Sequence, residues 1–388
     1  MSNETVAIIG GGIAGASVAY HLSELTDASI MILERGSVAN ETTAKSFALF
    51  GYYGDSVQYR MKRYAMGLYN RFMAETDTSI RYEQIGRLGL ATSVEEATRL
   101  RRSVADSEPS DDSKLTTNTD EIPMEFLEPS ELKELLAAPL IDDSAIEGAI
   151  YRPKVGYVSP VEICTEFLNR ARSNGVEVHE HTPVQDILVR DGEVTAIQTA
   201  ESEIVVDSVV SAAGPWNVEV ARMVGLDIPV RHTLAPVLKL KPPRPLPHTL
   251  MSISEVETGY GFRGVKEDGT VLVGNNPGGW DVATEFQPSD VPERVPDDLR
   301  SGAWEAIDSI LPELADSSVV DEWVGVRSAT PDGNPIASTT AVDGFALVAF
   351  STSGIQLAPA AGRTIARQLA DKEPLMGAEA LSMDRFDE

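Results

Sequence analysis

Apolar and polar positions along the chain repeat with two different periods, and their alternation lays out the elements. Val6-Ala7-Ile8-Ile9 is an unbroken apolar run, which predicts a parallel strand covered on both faces. An alanine-rich helical segment follows (Ala14, Ala16, Ala19), and Ile30 to Leu33 reads as a second buried strand. Helical spacing recurs over Tyr59–Thr76, Val94–Arg102 and Glu131–Leu136, and again from Ser159-Pro160 to Gly175, where glycine supplies a left-handed cap. Strand-like stretches occupy 176–180, 184–189 and 194–199, the last two flanking the turn Asp191-Gly192. Ser208–Ala213 is another buried strand, ending in Gly214-Pro215-Trp216. Residues 225–300 are rich in proline, glycine and alternating strands, which predicts an antiparallel sheet of separate character. Buried strand then returns at Phe345–Phe350, followed by a helix over Gln356–Leu369. The acidic, aperiodic stretch Ser103–Ile122 reads as a solvated surface loop.

Between the first strand and the first helix, Gly10, Gly12 and Gly15 stand at G-x-G-x-x-G spacing. The first glycine permits the tight turn, the second lets backbone approach a pyrophosphate, and the third lets helix pack on strand. Glu34 closes the second strand where a ribose hydroxyl needs an acceptor, and its charge disfavours a 2'-phosphate. Strand, glycines, helix, strand and acid thus occur in the order that dinucleotide binding requires.

At 388 residues the chain is long enough for two domains. No apolar run reaches membrane-spanning length and no cleavable leader is recognisable, so the expectation is a cytoplasmic protein without an integral membrane segment. The net charge of −28, from 60 acidic and 32 basic residues, disfavours nucleic acid as a partner and suggests a halophile-like surface adapted to high salt. The single cysteine, Cys164, excludes internal disulfides and multi-cysteine metal sites. Its helical context reads as a small core hydrophobe, and no metal site is expected.

Four blocks carry a resemblance: GGGIAGASVAYHL with Glu34-Arg35, AAGPWN at 212–217, WVGVRSATPDGNPIAS at 323–338 and FSTSGIQLAPAAGRTIARQL at 350–369. In this order they resemble the D-amino-acid oxidase (DAO) family of flavoproteins, which includes glycine and sarcosine oxidases and amine-type dehydrogenases. The resemblance implies an α/β fold with a discontinuous Rossmann-like FAD-binding domain and an inserted, β-rich α+β substrate domain. The expected division is 1–82, 150–222 and 321–388 for the former, 83–149 and 223–320 for the latter. It also implies extended FAD with the isoalloxazine at the domain junction. The positions expected to hold it are Gly10, Gly12, Ile13, Ala14 and Gly15 in the turn, then Glu34, Arg35, Thr42, Thr43, Ala44 and Lys45. Val184, Ala213, Gly214 and Trp216 follow in mid-chain, with Thr352, Ser353, Gly354, Ile355 and Gln356 before and within the last helix. A helix N-terminus there is suited to an electron-rich group, and equally to an ordinary cap.

Three positions are the candidate catalytic set. Arg327 matches the arginine that pairs with substrate carboxylate in the glycine-oxidase branch and also borders the flavin; a guanidinium holds a carboxylate bidentately and keeps its charge. Tyr260, in YGFRGVKEDGTVLVG, matches the strand lining the substrate side, although a core tyrosine reads equally well. Gln356 stands where some members carry a substrate-binding lysine. Gly325 replaces the cysteine that attaches flavin in sarcosine-type members, and Thr42–Ser46 lacks the attaching histidine of dimethylglycine-type members, so FAD is expected to be non-covalent. The implied reaction is oxidation of the C–N bond of an amino acid or secondary amine, by hydride transfer from the α-carbon to flavin N5. The electron acceptor, oxygen or a carrier, stays open. Oxidation of a 2-hydroxy acid, or a role as the flavin-binding subunit of a larger dehydrogenase, are the rival readings.

Overall fold

The structure, a computed structural model, describes residues 4–51, 57–75, 80–105, 124–136, 145–246, 249–256, 258–275, 279–376 and 378–386. Two large sheets organise the chain. The first has six strands in the order Ile336–Thr339, Phe345–Ala349, Ser208–Ser211, Thr5–Ile9, Ser29–Leu33, Glu177–His179, parallel except for Ile336–Thr339. Its central strand Thr5–Ile9 pairs on both edges and is buried beyond its first residue, which explains why its sequence shows no alternation. The helix Ile13–Ser23 is buried almost throughout, because Gly354–Leu369 and Pro160–Ser173 pack against it as well as the sheet. The two helices Ile13–Ser23 and Gly354–Leu369 approach closely: a Cβ on Gly362 would lie 2.4 Å from Ser17 Oγ, and that hydroxyl donates to Ala358 O at 2.9 Å.

The second sheet has eight strands: Ser318–Ala329, Arg231–Lys241, Thr270–Asn275, Tyr260–Val265, Ser252–Glu255, Arg87–Ala91, Gly148–Arg152 and Glu125–Leu127. It is antiparallel except where Ser252–Glu255 runs parallel to Arg87–Ala91, the seam at which two distant parts of the chain join. The helix Asp297–Ile310 covers one face through Ala303, Ala306, Ile307 and Ile310, in a core with Tyr260, Phe262 and Val273. A three-stranded antiparallel sheet, Val184–Arg190, Glu193–Thr199 and Glu203–Val205, carries the expected Asp191-Gly192 turn, with both residues at positive φ. A small sheet of Leu49–Phe50, Gly156–Val158 and Tyr82–Gln84 completes the set.

Two expected domain boundaries fall inside strands of the second sheet. Position 150 lies within Gly148–Arg152, and 321 lies within Ser318–Ala329, which hydrogen-bonds along Arg231–Lys241 from end to end. Arg327 is therefore delivered by the second sheet rather than by the nucleotide-type sheet. The helix read as Val94–Arg102 runs to Ala105, taking in the first residues of the expected loop; residues 106–122 of that loop lie outside the described residues. The helix read as Tyr59–Thr76 is Val57–Ala74.

Candidate active site

The carboxyl edge of the six-stranded sheet faces the eight-stranded sheet across a cavity of about 940 Å³. The glycine turn forms its floor. Gly10 has φ +107°, and a Cβ there would lie 2.6 Å from Ala212 O, so only glycine fits. Gly15 lies behind the turn and does not line the cavity: a Cβ on it would stand 2.0 Å from Gly10 O, so its role is close helix–strand packing. Gly12 caps the helix Ile13–Ser23 with no side-chain cap of its own, and Thr43 Oγ1 accepts the Ile13 N–H at 3.1 Å from across the cavity wall. This helix N-terminus, with backbone N–H groups and the positive dipole end, is suited to a diphosphate.

Glu34 is held by two backbone donors, Gly11 N to Oε2 and Gly36 N to Oε1, each at 2.7 Å, which fixes its carboxylate at the cavity edge. Beside it Arg35 lies over the Trp216 ring at 3.7 Å and pairs with Glu41 at 3.5 Å. Trp216 follows Gly214, whose φ of +58° starts the turn after Ser208–Ser211. That turn is tied down by the fully buried Asn217: its Oδ1 accepts from Ser211 Oγ and Ala213 N, and its Nδ2 donates to Val348 O. Asn217 was not among the expected positions, although it closes the AAGPWN block.

At the other end of the cavity Thr352 and Ser353 both adopt left-handed backbone, with φ +64° and +52°, and turn the chain into Gly354–Leu369. Two consecutive non-glycine residues in this region cost on the order of 1–3 kcal/mol each, and such strain concentrates at ligand sites. Ile355 O accepts from Tyr69 Oη at 2.6 Å, and Gln356 Oε1 accepts from Gly51 N at 3.3 Å, so the first helical turn is anchored on both sides. Arg327 lines the same end. Its Nη1 is buried without a hydrogen-bond partner, and burial lowers its pKa from the usual value to about 10, leaving it protonated at neutral pH. A half-buried guanidinium with one nitrogen buried and unpartnered carries a desolvation cost, and its natural complement is an anionic ligand.

The cavity thus gathers most of the expected positions: Gly10, Gly12, Ile13, Ala14, Glu34, Arg35, Thr42, Thr43, Lys45, Val184, Ala213, Gly214, Trp216, Arg327 and Thr352 through Gln356. It does not gather Ala44, nor Tyr260. The Tyr260 side chain belongs to the core under Asp297–Ile310, its hydroxyl donating to Leu299 O at 3.3 Å. Tyr260 belongs to the helix-covered core, whereas its neighbours Gly261 and Phe262 on the same strand line the cavity. Lys62, 7 % exposed on Val57–Ala74, lines the cavity without having been expected there; in the sequence it is one cation among several on an amphipathic helix.

Comparison with known proteins places this geometry. The family described as FAD dependent oxidoreductase (DAO) matches residues 5–368. The chain belongs to the DAO family of FAD-dependent oxidoreductases. Among its DAO relatives, glycine oxidase of Bacillus subtilis is 26 % identical over 94 % of this chain and 93 % of its own. The mouse mitochondrial pyruvate dehydrogenase phosphatase regulatory subunit is 32 % identical over 55 % of this chain and 23 % of its own. This chain spans between 23 and 45 % of the length of several such longer relatives. The L-proline dehydrogenase of P. horikoshii shares the fold with a TM-score of 0.81 at 21 % identity, over 99 % of this chain and 98 % of that one.

The residues present fit FAD, the cofactor of the DAO family. The glycine turn at Gly10 is a cradle that side chains would fill, Glu34 is fixed where a ribose needs an acceptor, and the strained turn at Thr352-Ser353 aims a helix N-terminus into the same cavity. Among the described residues no cluster of histidine, cysteine or acidic side chains suits a metal ion, and no helix is long and apolar enough to cross a membrane. Burial pushes the Cys164 thiol up to about 12, which makes it an inert core residue.

Proposed function

We propose that this protein oxidises the C–N bond of an amine that carries a carboxylate, an amino acid or its N-substituted form. The observation that carries the reading is the Arg327 guanidinium, half-buried and charged in the cavity wall, with its Nη1 buried and lacking a partner. Glycine oxidase among the relatives and iminodiacetate oxidase among structures of the same fold support it, since both names describe carboxylate-bearing amines. FAD, when bound, supplies the two-electron acceptor. The chain's own contribution is placement: Arg327 fixes the carboxylate, and holding the reacting carbon in one orientation lowers the barrier without acid–base chemistry. No histidine lines the cavity among the described residues, which leaves a 2-hydroxy acid without an imidazole to take its hydroxyl proton.

A second reading, a flavin-binding subunit without its own substrate, draws on the relative named as a phosphatase regulatory subunit. Anaerobic mixing of the yellow holoprotein with glycine, sarcosine and other amino acids, and separately with 2-hydroxy acids, tests both. Bleaching of the flavin by one or more of the amines is the expected result. Bleaching by hydroxy acids alone contradicts amine oxidation, and an unchanged spectrum with every compound favours the second reading.

A further inference from the structure

We infer that a second cavity, of about 380 Å³, takes an extended apolar substituent of the substrate while Arg327 holds its carboxylate; this rests on the proposed amine oxidation. The two cavities meet at a break in the eight-stranded sheet. Thr270–Asn275 pairs with Arg231–Lys241 only as far as Gly274 against Val237, and the next residue along, Pro236, has no N–H to continue the ladder. Among the described residues the next pairing on that edge is His232 with Thr284, whose backbones exchange N–H···O bonds at 2.8 and 2.9 Å. Residues 233–236 between them are left to the cavities. Ala235 lines the main one, Thr233 and Leu234 line the second, and Pro236 lines both, as does Asn275 at the end of its strand.

The break stands beside the carboxylate anchor. Thr233 is the cross-strand partner of Arg327, and His232 is that of Ser328, whose Oγ lies 3.5 Å from His232 Nδ1. Residues opposed in an antiparallel pair stand about 5 Å apart, so the second cavity begins within one strand spacing of the arginine. Its lining is mostly apolar, with Leu234, Pro236, Val282, Phe286, Pro292 and Leu299. Burial lowers the pKa of His232 and leaves the imidazole neutral at pH 7. Asp290, on the exposed rim, is then the one charged side chain among the described lining residues. With one carboxylate and no cation, the cavity suits a hydrocarbon or aromatic group and disfavours a second carboxylate. In the shared wall Asn275 Oδ1 is buried without a hydrogen-bond partner, an acceptor that folding leaves unsatisfied and a substrate N–H would satisfy.

The test uses the FAD-loaded protein and carboxylates that lack an amine, with Kd read by isothermal titration calorimetry and flavin content per chain as the check on folding. Wild type is expected to bind phenylacetate about tenfold to a hundredfold more tightly than acetate, the gain from burying one ring, and succinate no more tightly than acetate. Val282→Trp and Thr284→Trp fill the second cavity from exposed positions of its lining. Both are expected to bring the preference for phenylacetate below about threefold while acetate stays within about twofold of wild type. Phenylacetate no tighter than acetate in wild type, succinate tighter than acetate, or a preference that both variants leave unchanged overturns the inference. Should wild type oxidise no amine, the proposed reaction fails, yet these Kd values still report on the cavity.

Discussion

Gly15→Val is expected to leave the purified chain without flavin and without a cooperative thermal transition. The new side chain begins with a Cβ 2.0 Å from Gly10 O, a backbone atom that cannot swing aside. Gly10 is itself locked, donating its N–H to Leu33 O at 2.9 Å with Ala212 O on its other side. Relief therefore requires Ile13–Ser23 to lift from the strand, and that helix is buried among the parallel sheet, Pro160–Ser173 and Gly354–Leu369. A loss beyond about 5 kcal/mol follows from disrupting such a layer, comparable with the whole stability of a marginally stable domain. Gly67→Ala is the control, since a Cβ at that position of Val57–Ala74 meets open space. Differential scanning fluorimetry and flavin content of the two variants read the contrast, and a yellow, cooperatively melting Gly15→Val protein refutes this account of the turn.

Arg327→Met is expected to raise the KM for a carboxylate-bearing amine on the order of 10² to 10³-fold, the cost of deleting one partner of a desolvated charge pair. The same substitution is expected to leave the thermal midpoint of the substrate-free holoprotein unchanged or higher. Both signs have one cause. Burial already lowers the arginine pKa to about 10, and its Nη1 finds no partner, so the folded protein bears a desolvation cost that substrate offsets and methionine removes. An amine lacking a carboxylate should lose far less, because it never used the guanidinium. A KM unchanged for the carboxylate substrate would move Arg327 out of the site.

The nucleotide-binding half was legible because its evidence is local. Glycines at fixed spacing, an unbroken apolar strand and a terminal acid each have one physical use, and they follow one another within about thirty residues. The second sheet was harder to read because its pairings join distant segments: Arg87–Ala91 finds Ser252–Glu255, and Ser318–Ala329 finds Arg231–Lys241. No periodicity in one segment reveals its partner, so the boundaries at 150 and 321 fell inside strands. Tyr260 shows a finer limit. A shift of one residue in a strand reverses the face, and the composition around YGFRG does not say whether tyrosine or glycine meets the ligand. Lys62 was invisible for the opposite reason, since an amphipathic helix is expected to carry lysines and only the packed structure shows this one buried.

We propose that the cleft between the two sheets holds FAD without a covalent bond, since Gly325 and the segment Thr42–Ser46, where a cysteine or histidine would be needed for attachment, offer neither. Denaturing the purified yellow protein and separating supernatant from precipitate measures this directly. One FAD per chain free in the supernatant, with a colourless precipitate, is the expected result. Flavin that stays with the precipitated chain, or a native protein that takes up no FAD at all, would contradict it.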